Sequence, residues 1–408
     1  MQRESARFAS HPPGSVPKVQ QRLEMILAIF ALCSFAASVS SRAVDPLTAM
    51  IAEHFSVAVT TAALLSSAYA LPFALFQPVL GPVGDIWGKS RLLRLSLWIL
   101  AFSLLAGAFA PSISILIVLR FIGGMASGGT VPSGMALIGD RFSGEKRQVA
   151  LSRFVGAGLL GQIFSASAAG VLAVTFGWQA AFLVAGAITL VAAIIASIYL
   201  REPANRQQRS FSLAEAIRGY RMVFANPRAY LCFGTVMAEG IALWGVTPFI
   251  ADLLITSDTG GTREAGIIIG GIGVGGVLFT LVLPMMLRTM GQTLLMAGGG
   301  VVATAGLIGL AMELDWMTVA ALFAVTGFGY MMLHNSIQTH SVELAPTARS
   351  SAYSMHAFFF FTGQSLGPIL FGLVQHAAGA FTALVACAIL FAATGIIVAL
   401  LFARLQRV

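Results

Sequence analysis

The chain reads as an all-α membrane protein, with twelve transmembrane helices in two bundles of six. A pseudo-twofold axis relates the bundles, and both termini are cytoplasmic. Three observations predict this. Of 408 residues, 57% are hydrophobic and 10% charged, with a mean hydropathy of +0.87, whereas a water-soluble domain carries about a quarter charged residues. Apolar stretches long enough to cross a bilayer, which takes roughly 20 residues, recur from residue 23 to residue 404. Basic residues fall almost entirely on alternate connections between them.

The stretches cover 23–49, 58–81, 92–110, 113–138, 149–175, 178–200, 229–254, 265–287, 292–313, 316–340, 350–375 and 378–404. Strands of a membrane barrel would alternate over about ten residues. These runs are longer and apolar all round, so they are helices. The tail, residues 1–22, carries Arg3, Arg7, Lys18 and Arg22. Span 1 is too long for the core of a cleavable signal peptide and closes on Arg42 and Asp45 without a small-residue cleavage site. Lys89, Arg91 and Arg94 follow span 2, and Arg141, Lys146 and Arg147 follow span 4. Arg201, Arg206, Arg209, Arg218, Arg221 and Arg228 lie between spans 6 and 7, with Arg288, Arg349, Arg404 and Arg407 on the same side. The opposite side has Arg263, with Arg42 near a span end. The net charge of +8 therefore follows the positive-inside rule and is not a nucleic-acid footprint.

Residues 201–228 form the long polar connection. They divide the chain into a first half, 23–200, and a second half, 229–408. Within the linker, Ser212 and Glu215 read as a capping box opening a short helix. Phe211, Leu213, Ile217 and Phe224 oppose Glu215, Arg218 and Arg221, which suits a helix on the membrane surface or a solvated linker helix. The halves resemble each other. Arg147 and Gly161-Gln162 recur 202 residues later as Arg349 and Gly363-Gln364, while Gly88 and Leu92 match Gly291 and Leu295. A six-span repeat is a transporter signature, because one half rocks against the other.

At the end of span 2 stands Gly81-Pro-Val-Gly84-Asp85-Ile-Trp-Gly88-Lys89-Ser-Arg91. Glycines let helices approach closely, Asp85 can face the positive N-terminal end of a helix in the other half, and Lys89 and Arg91 hold the loop on one side. Span 4 carries Arg120-Phe-Ile-Gly-Gly124. Span 5 carries Gly156, Gly161 and Gly170, then Gly177-Trp178. These motifs resemble those of the major facilitator superfamily over residues 23–404, in its bacterial drug–proton antiporter branch. Drug antiporters usually have proline after the central glycine of span 5. This chain has Gln162 there and Gly367-Pro368 in span 11, and Arg288 falls where a second Asp85 would stand. The resemblance implies alternating access, a loop motif acting as a conformational switch, packing roles for Gly124, Gly161, Gly363, Gly367 and Pro368, and a monomer in the cytoplasmic membrane of a bacterium. The run Gly271-Ile-Gly273-Val-Gly-Gly276 satisfies a dinucleotide-binding pattern. It lies inside span 8 rather than in a strand–turn–helix unit, so helix packing is the better reading.

Ionisable groups at membrane depth are costly and mark function. Glu239 lies about 15 Å into span 7 and is the carboxylate placed at mid-depth. It can carry protons, pair with a cationic ligand beside Trp244 and Phe249, or be a structural group. Arg120 lies about 12 Å into span 4. Asp45 can bridge to Arg42 or to Arg120, so protonating it would break a salt bridge. The arginines can instead bind a substrate carboxylate, or form a static helix clamp. In span 10, Tyr330, His334, Asn335 and Gln338 offer hydrogen-bonding groups to the lower cavity, and His334 is a second proton candidate. Gln162 and Gln364 form a repeat-related polar pair, and His356 precedes an aromatic run, Phe358 to Phe361.

Cys33, Cys232 and Cys387 sit in separate spans, which argues against a disulfide framework or metal cluster. No nucleophile elbow, phosphate loop or metal-spaced histidines occur, so the chain is not an enzyme and needs no cofactor beyond a proton gradient. A sensor would need an output domain, and the linker is too short to fold alone. The expected activity is proton-coupled export of amphipathic compounds. The alternative is proton-coupled uptake of an organic anion.

Overall fold

The computed structural model describes residues 15–200 and 213–405. Among them every regular element is helical. Helix α1 (Ser15–Arg42) is followed by a 3-10 turn (Asp45–Leu47) and α2 (Thr48–His54). Then come α3 (Val59–Trp87), α4 (Lys89–Gly107), α5 (Ile113–Ser127), α6 (Thr130–Arg141), α7 (Gly144–Phe176) and α8 (Trp178–Tyr199). The second half contains α9 (Leu213–Phe224), α10 (Arg228–Trp244), a 3-10 turn (Thr247–Phe249), α11 (Ile250–Thr256) and α12 (Thr262–Val302). It closes with α13 (Ala305–Ala311), α14 (Trp316–Glu343) and α15 (Arg349–Leu405). Ten segments of these residues are long and apolar enough to cross a membrane.

Several boundaries differ from the sequence reading for identifiable reasons. Residues 15–22, expected in the tail, already belong to α1. Pro17 lies in its first turn, where a missing N–H is tolerated. The rest of the expected tail, residues 1–14, lies outside the described residues, as does the linker 201–212 with Ser212 of the capping box. Spans 1 and 7 do not run straight. Pro46 and Pro248 each open a 3-10 turn at the end of the span. Span 4 is divided between α5 and α6 at Gly128-Gly129. Helix α12 contains non-helical backbone at Gly291 (φ 70°, ψ 168°), and α15 at Gly379 (φ 84°, ψ 163°). That combination is open essentially to glycine alone.

The repeat is clearer in the backbone than in the sequence. Helices α2 and α11 each have seven residues and start 202 positions apart, at Thr48 and Ile250. Left-handed residues follow at Ser56 (φ 54°) and Asp258 (φ 55°), and glycine breaks recur at Gly177 (φ 85°) and Gly379 (φ 84°). Close helix contacts repeat as well. A side chain at Gly161 would run into the Phe35 carbonyl, and one at Gly363 into the Met237 carbonyl. These again are positions 202 apart, joining α1 to α7 and α10 to α15.

The halves meet along two helix pairs, α3 with α15 and α7 with α12. Gly170 and Gly266 let α7 and α12 touch backbone to backbone. Ser67 donates to the Ser365 carbonyl at 2.7 Å, and Ser365 donates to the Ser67 carbonyl at 3.2 Å. Small residues and side-chain hydrogen bonds hold membrane helices together where lipid removes the hydrophobic drive. The apparent dinucleotide motif serves the same end. Gly271 and Gly275 face the backbone of α14, and Gly270 and Gly273 face Ser167 and Ile163 of α7. Large apolar side chains such as Phe102, Leu281 and Leu373 point outward, as lipid contact requires.

Helix α9 docks on protein. Val223 is buried, Gly219 faces Ser351 of α15, and the Phe224 ring centroid lies 5.6 Å from that of Phe233 on α10. Tyr220 donates to the Pro78 carbonyl of α3 at 3.3 Å. The face with Gly219, Val223 and Phe224 therefore packs on the second half, while Ile217 is exposed.

Candidate functional site

A cavity of about 240 Å³ lies between the halves, walled by α1, α3, α5, α6 and α7 of the first and α10, α12, α14 and α15 of the second. Most of the wall is apolar and aromatic, including Phe73, Trp244, Tyr330, Phe360 and Phe361. Arg42, Gln162, His334 and Gln364 contribute its larger polar groups. Among the described residues, Arg42 is the one permanently charged side chain on that wall, and no carboxylate reaches it.

One end of the cavity is closed by the two proline turns. Proline fixes each turn where its span would otherwise continue, which brings the turns of the two halves together. Fully buried Asp45 accepts from Ser66 Oγ at 2.6 Å and from Thr247 Oγ1 of the other half at 2.9 Å. Arg42 Nη1 lies 3.5 Å from its Oδ2. Arg42 Nη2 donates to Gln364 Oε1 at 2.7 Å, and the guanidinium stacks 3.5 Å from the Trp244 ring centroid. Thr48 donates to the Pro248 carbonyl. The ionic core of this closure thus sits in the first half, with Thr247, Gln364 and Trp244 of the second half packed on it.

Helices α10 and α14 of the second half hold a buried acid–base pair. Glu239 Oε2 on α10 is 2.8 Å from His334 Nδ1 on α14. Glu239 Oε1 has no hydrogen-bond partner among the described residues. His334 stands between the carboxylate and the cavity, with its ring centroid 5.0 Å from Tyr330 and 4.8 Å from Phe360. His356 lies behind, its ring 5.2 Å from that of His334 and its Nδ1 3.0 Å from Ser341 Oγ.

Arg120 has the setting of a helix clamp. It is buried, stacks 4.2 Å from the Tyr69 ring centroid and donates to three backbone carbonyls. These are Ser40 at 2.9 Å, Leu65 at 3.4 Å and Ser41 at 3.5 Å. The first and last are terminal carbonyls of α1, which lack helical partners. The fork therefore clamps α5 to α1 and α3. Asp45 bridges to Arg42 and not to Arg120.

Of the residues expected on the cavity wall, Gln162, Trp244, Tyr330 and Gln364 are there, together with Arg42 and His334. His356 is not, because His334 covers it. Asn335 is not either, being rotated by about 100° from His334 on the helix. Gln338 lines a separate cleft with Glu343, Arg349 and Tyr353. Sequence reading missed Ser66, Tyr69 and Thr247. It gave Phe360 and Phe361 no ligand-facing role. The Val-Asp-Pro of residues 44–46 and the Val-Thr-Pro of residues 246–248 were the available signal for Thr247.

Comparison with known proteins settles the family. Residues 30–368 match the family described as Major Facilitator Superfamily. The chain belongs to it. Multidrug resistance protein 1 of Bacillus subtilis is 23% identical over 87% of this chain and 90% of its own length. MFS transporter cpaT of Aspergillus oryzae is 28% identical over 50% of this chain, a match that spans only 43% of the fungal protein. The crystal structure of the nucleoside transporter NupG superposes with a TM-score of 0.76 at 17% identity, covering 94% of this chain and 99% of that one, which establishes the fold. The protein is thus a multi-pass membrane protein in a family of transporters and not of enzymes.

The superfamily's loop motif can be placed in the same terms. Gly81, Gly84 and Asp85 end α3, and Gly88 (φ 118°) turns the chain into α4. Lys89 pairs with Asp140 at 2.7 Å, and Arg141 Nη2 donates to Ser90 Oγ at 3.4 Å, so the loop is tied to the end of α6. Arg91 is exposed. The expected contact of the Asp85 carboxylate lies outside the described side chains. Gly124 abuts the Tyr69 carbonyl, and Gly367, beside Pro368, abuts Gly245.

Proposed function

We propose that the protein is a twelve-span, proton-coupled exporter of small amphipathic molecules, acting as a monomer in a bacterial cytoplasmic membrane with both termini inside. Two of the ten membrane-length segments run to 50 and 56 residues, far beyond the roughly 20 that a bilayer takes. Each contains a glycine break, at Gly291 and Gly379. Dividing them there gives twelve spans. The basic connections then face the cytoplasm, and the two proline turns close the outer mouth.

The observation that carries the coupling is the Glu239–His334 pair. It is a buried carboxylate whose partner faces the ligand cavity, so protonation and ligand binding share one wall. The mostly apolar wall supports an amphipathic cargo, and the loop tied by Lys89 to Asp140 supports the switch role of the motif with Asp85. Inside-out vesicles with an acidic interior test the reading. A panel of amphipathic dyes should accumulate in them with wild-type protein and not with Glu239→Gln. If no dye accumulates, or Glu239→Gln accumulates it normally, the reading fails.

Arg42 on the cavity wall favours a second reading, proton-coupled uptake of an organic anion. Right-side-out vesicles separate it from export, since radiolabelled carboxylates would then enter as protons do.

A further inference from the structure

We infer that the cavity takes a small organic monoanion with an apolar body, and that Arg42 is the residue that docks its acidic group. This rests on the transporter reading and holds for either direction of transport.

The first ground is the charge on the wall. Among the described residues, Arg42 alone brings a permanent charge to the cavity surface. The two nearby carboxylates are turned away from it. Asp45 is held by the hydroxyls of Ser66 and Thr247, and Glu239 is covered by His334. Arg120 adds a second permanent cation behind Tyr69, where it donates to backbone carbonyls. The charge that the wall presents to the cavity is therefore that of Arg42, with both carboxylates withdrawn from it. A ligand carrying a single negative charge meets that exposed cation, while a cationic ligand would be opposed by it.

The second ground is the geometry of the Arg42 donors. A guanidinium recognises a carboxylate through two parallel N–H groups, and one such edge is formed by Nε and Nη2. In Arg42, Nη1 points to Asp45, Nη2 donates to the neutral amide oxygen of Gln364, and Nε has no hydrogen-bond partner among the described residues. Buried donors are nearly always paired. A ligand carboxylate displacing the Gln364 oxygen would pair Nε and Nη2 together, replacing one neutral hydrogen bond by two charge-assisted ones. Trp244, stacked on the guanidinium face, holds its plane in place for that contact.

The third ground is the rest of the wall. Ile269, Ile272, Met331, Phe360 and Phe361 make an apolar lining away from Arg42. The volume of about 240 Å³ is below the roughly 300–1,000 Å³ of sites for drug-sized molecules. A single ring or a short chain bearing one acidic group fits this description.

The test uses benzoate and benzylammonium, which match in ring and size and differ in charge. Their effects on the apparent melting temperature of the detergent-purified full chain are measured for wild type, Arg42→Gln and Arg42→Lys. A ligand of the folded state raises that temperature. Benzoate should stabilise wild type and benzylammonium should not. Arg42→Gln should weaken benzoate binding on the order of tenfold or more, the usual effect of losing a charged hydrogen-bond donor, while Arg42→Lys retains part of it. The inference is overturned if benzoate leaves wild type unmoved, if benzylammonium stabilises it equally, or if benzoate binds Arg42→Gln as tightly as wild type. The two-probe comparison on wild type needs no variant, so misfolding of Arg42→Gln leaves it decidable. Proton-driven dye transport without benzoate binding would sink this inference alone, and benzoate binding without proton coupling would sink the proposed coupling alone.

Discussion

The first half brings Arg42, Asp45 and Arg120 to the centre of the molecule, and the second half brings Glu239 and His334. The backbones that carry these groups are nearly copies. The proline turns at Asp45 and Thr247, the left-handed residues Ser56 and Asp258, and the glycine breaks Gly177 and Gly379 all recur at a spacing of 202. Repeated bends and non-repeated charges teach that the scaffold and the chemistry of this protein are separable. The repeat fixes where helices turn and touch, and it leaves each half free to place different polar groups in the space between.

Substitutions at matched positions can break or sharpen that comparison. The largest effect is expected where no match exists. Glu239→Gln should abolish proton-driven transport while the protein stays folded, read as vesicle flux beside an unchanged melting profile. Next come the paired contacts. Gly161→Leu and Gly363→Leu would each drive a side chain into a backbone carbonyl of the neighbouring helix, and each should cost about 3 kcal/mol, read as loss of folded protein on gel filtration. A large difference between the two would show that the halves do not pack equivalently. Gly177→Ala and Gly379→Ala should each cost about 1–2 kcal/mol, because both glycines hold backbone that other residues avoid. Equal drops in melting temperature are the expected result.

The smallest effect belongs to an exposed cap. Asp315 accepts from the backbone N–H groups of Met317 and Thr318 at 3.1 Å each. The Thr318 hydroxyl, then its N–H, hold the carboxyl below the usual range. A lowered native value means that the cap stabilises fully above the unfolded value and is lost as pH falls through the native one. Asp315→Ala should therefore lower the melting temperature slightly at neutral pH, and the difference should shrink below about pH 4.

Much of the scaffold was legible in the amino-acid sequence because a bilayer demands long apolar runs, and close helix contacts demand small residues. Gly161 and Gly363 could be read as packing positions without coordinates. The pairing of Glu239 with His334 could not. The residues are 95 positions apart, on helices that no local pattern brings together, and either could have been satisfied elsewhere. The partners of Arg120 were hidden for a related reason. They are main-chain carbonyls, which leave no trace in side-chain identity. The role of Asp45 was only half visible. Its neighbour Arg42 lies one turn away in sequence, but Ser66 and Thr247 reach it only through the packing of α3 and the second proline turn.

Arg42 and Trp244 are themselves 202 residues apart, as are Asp45 and Thr247, and each pair is in direct contact. Such residues sit where each copy of the repeat meets its own counterpart. Identical partners there would oppose arginine to arginine or aspartate to aspartate. Along the axis, then, the duplicated halves cannot stay the same. Divergence is forced at such contacts, whereas Gln162 and Gln364, matched positions that both line the cavity, stay identical.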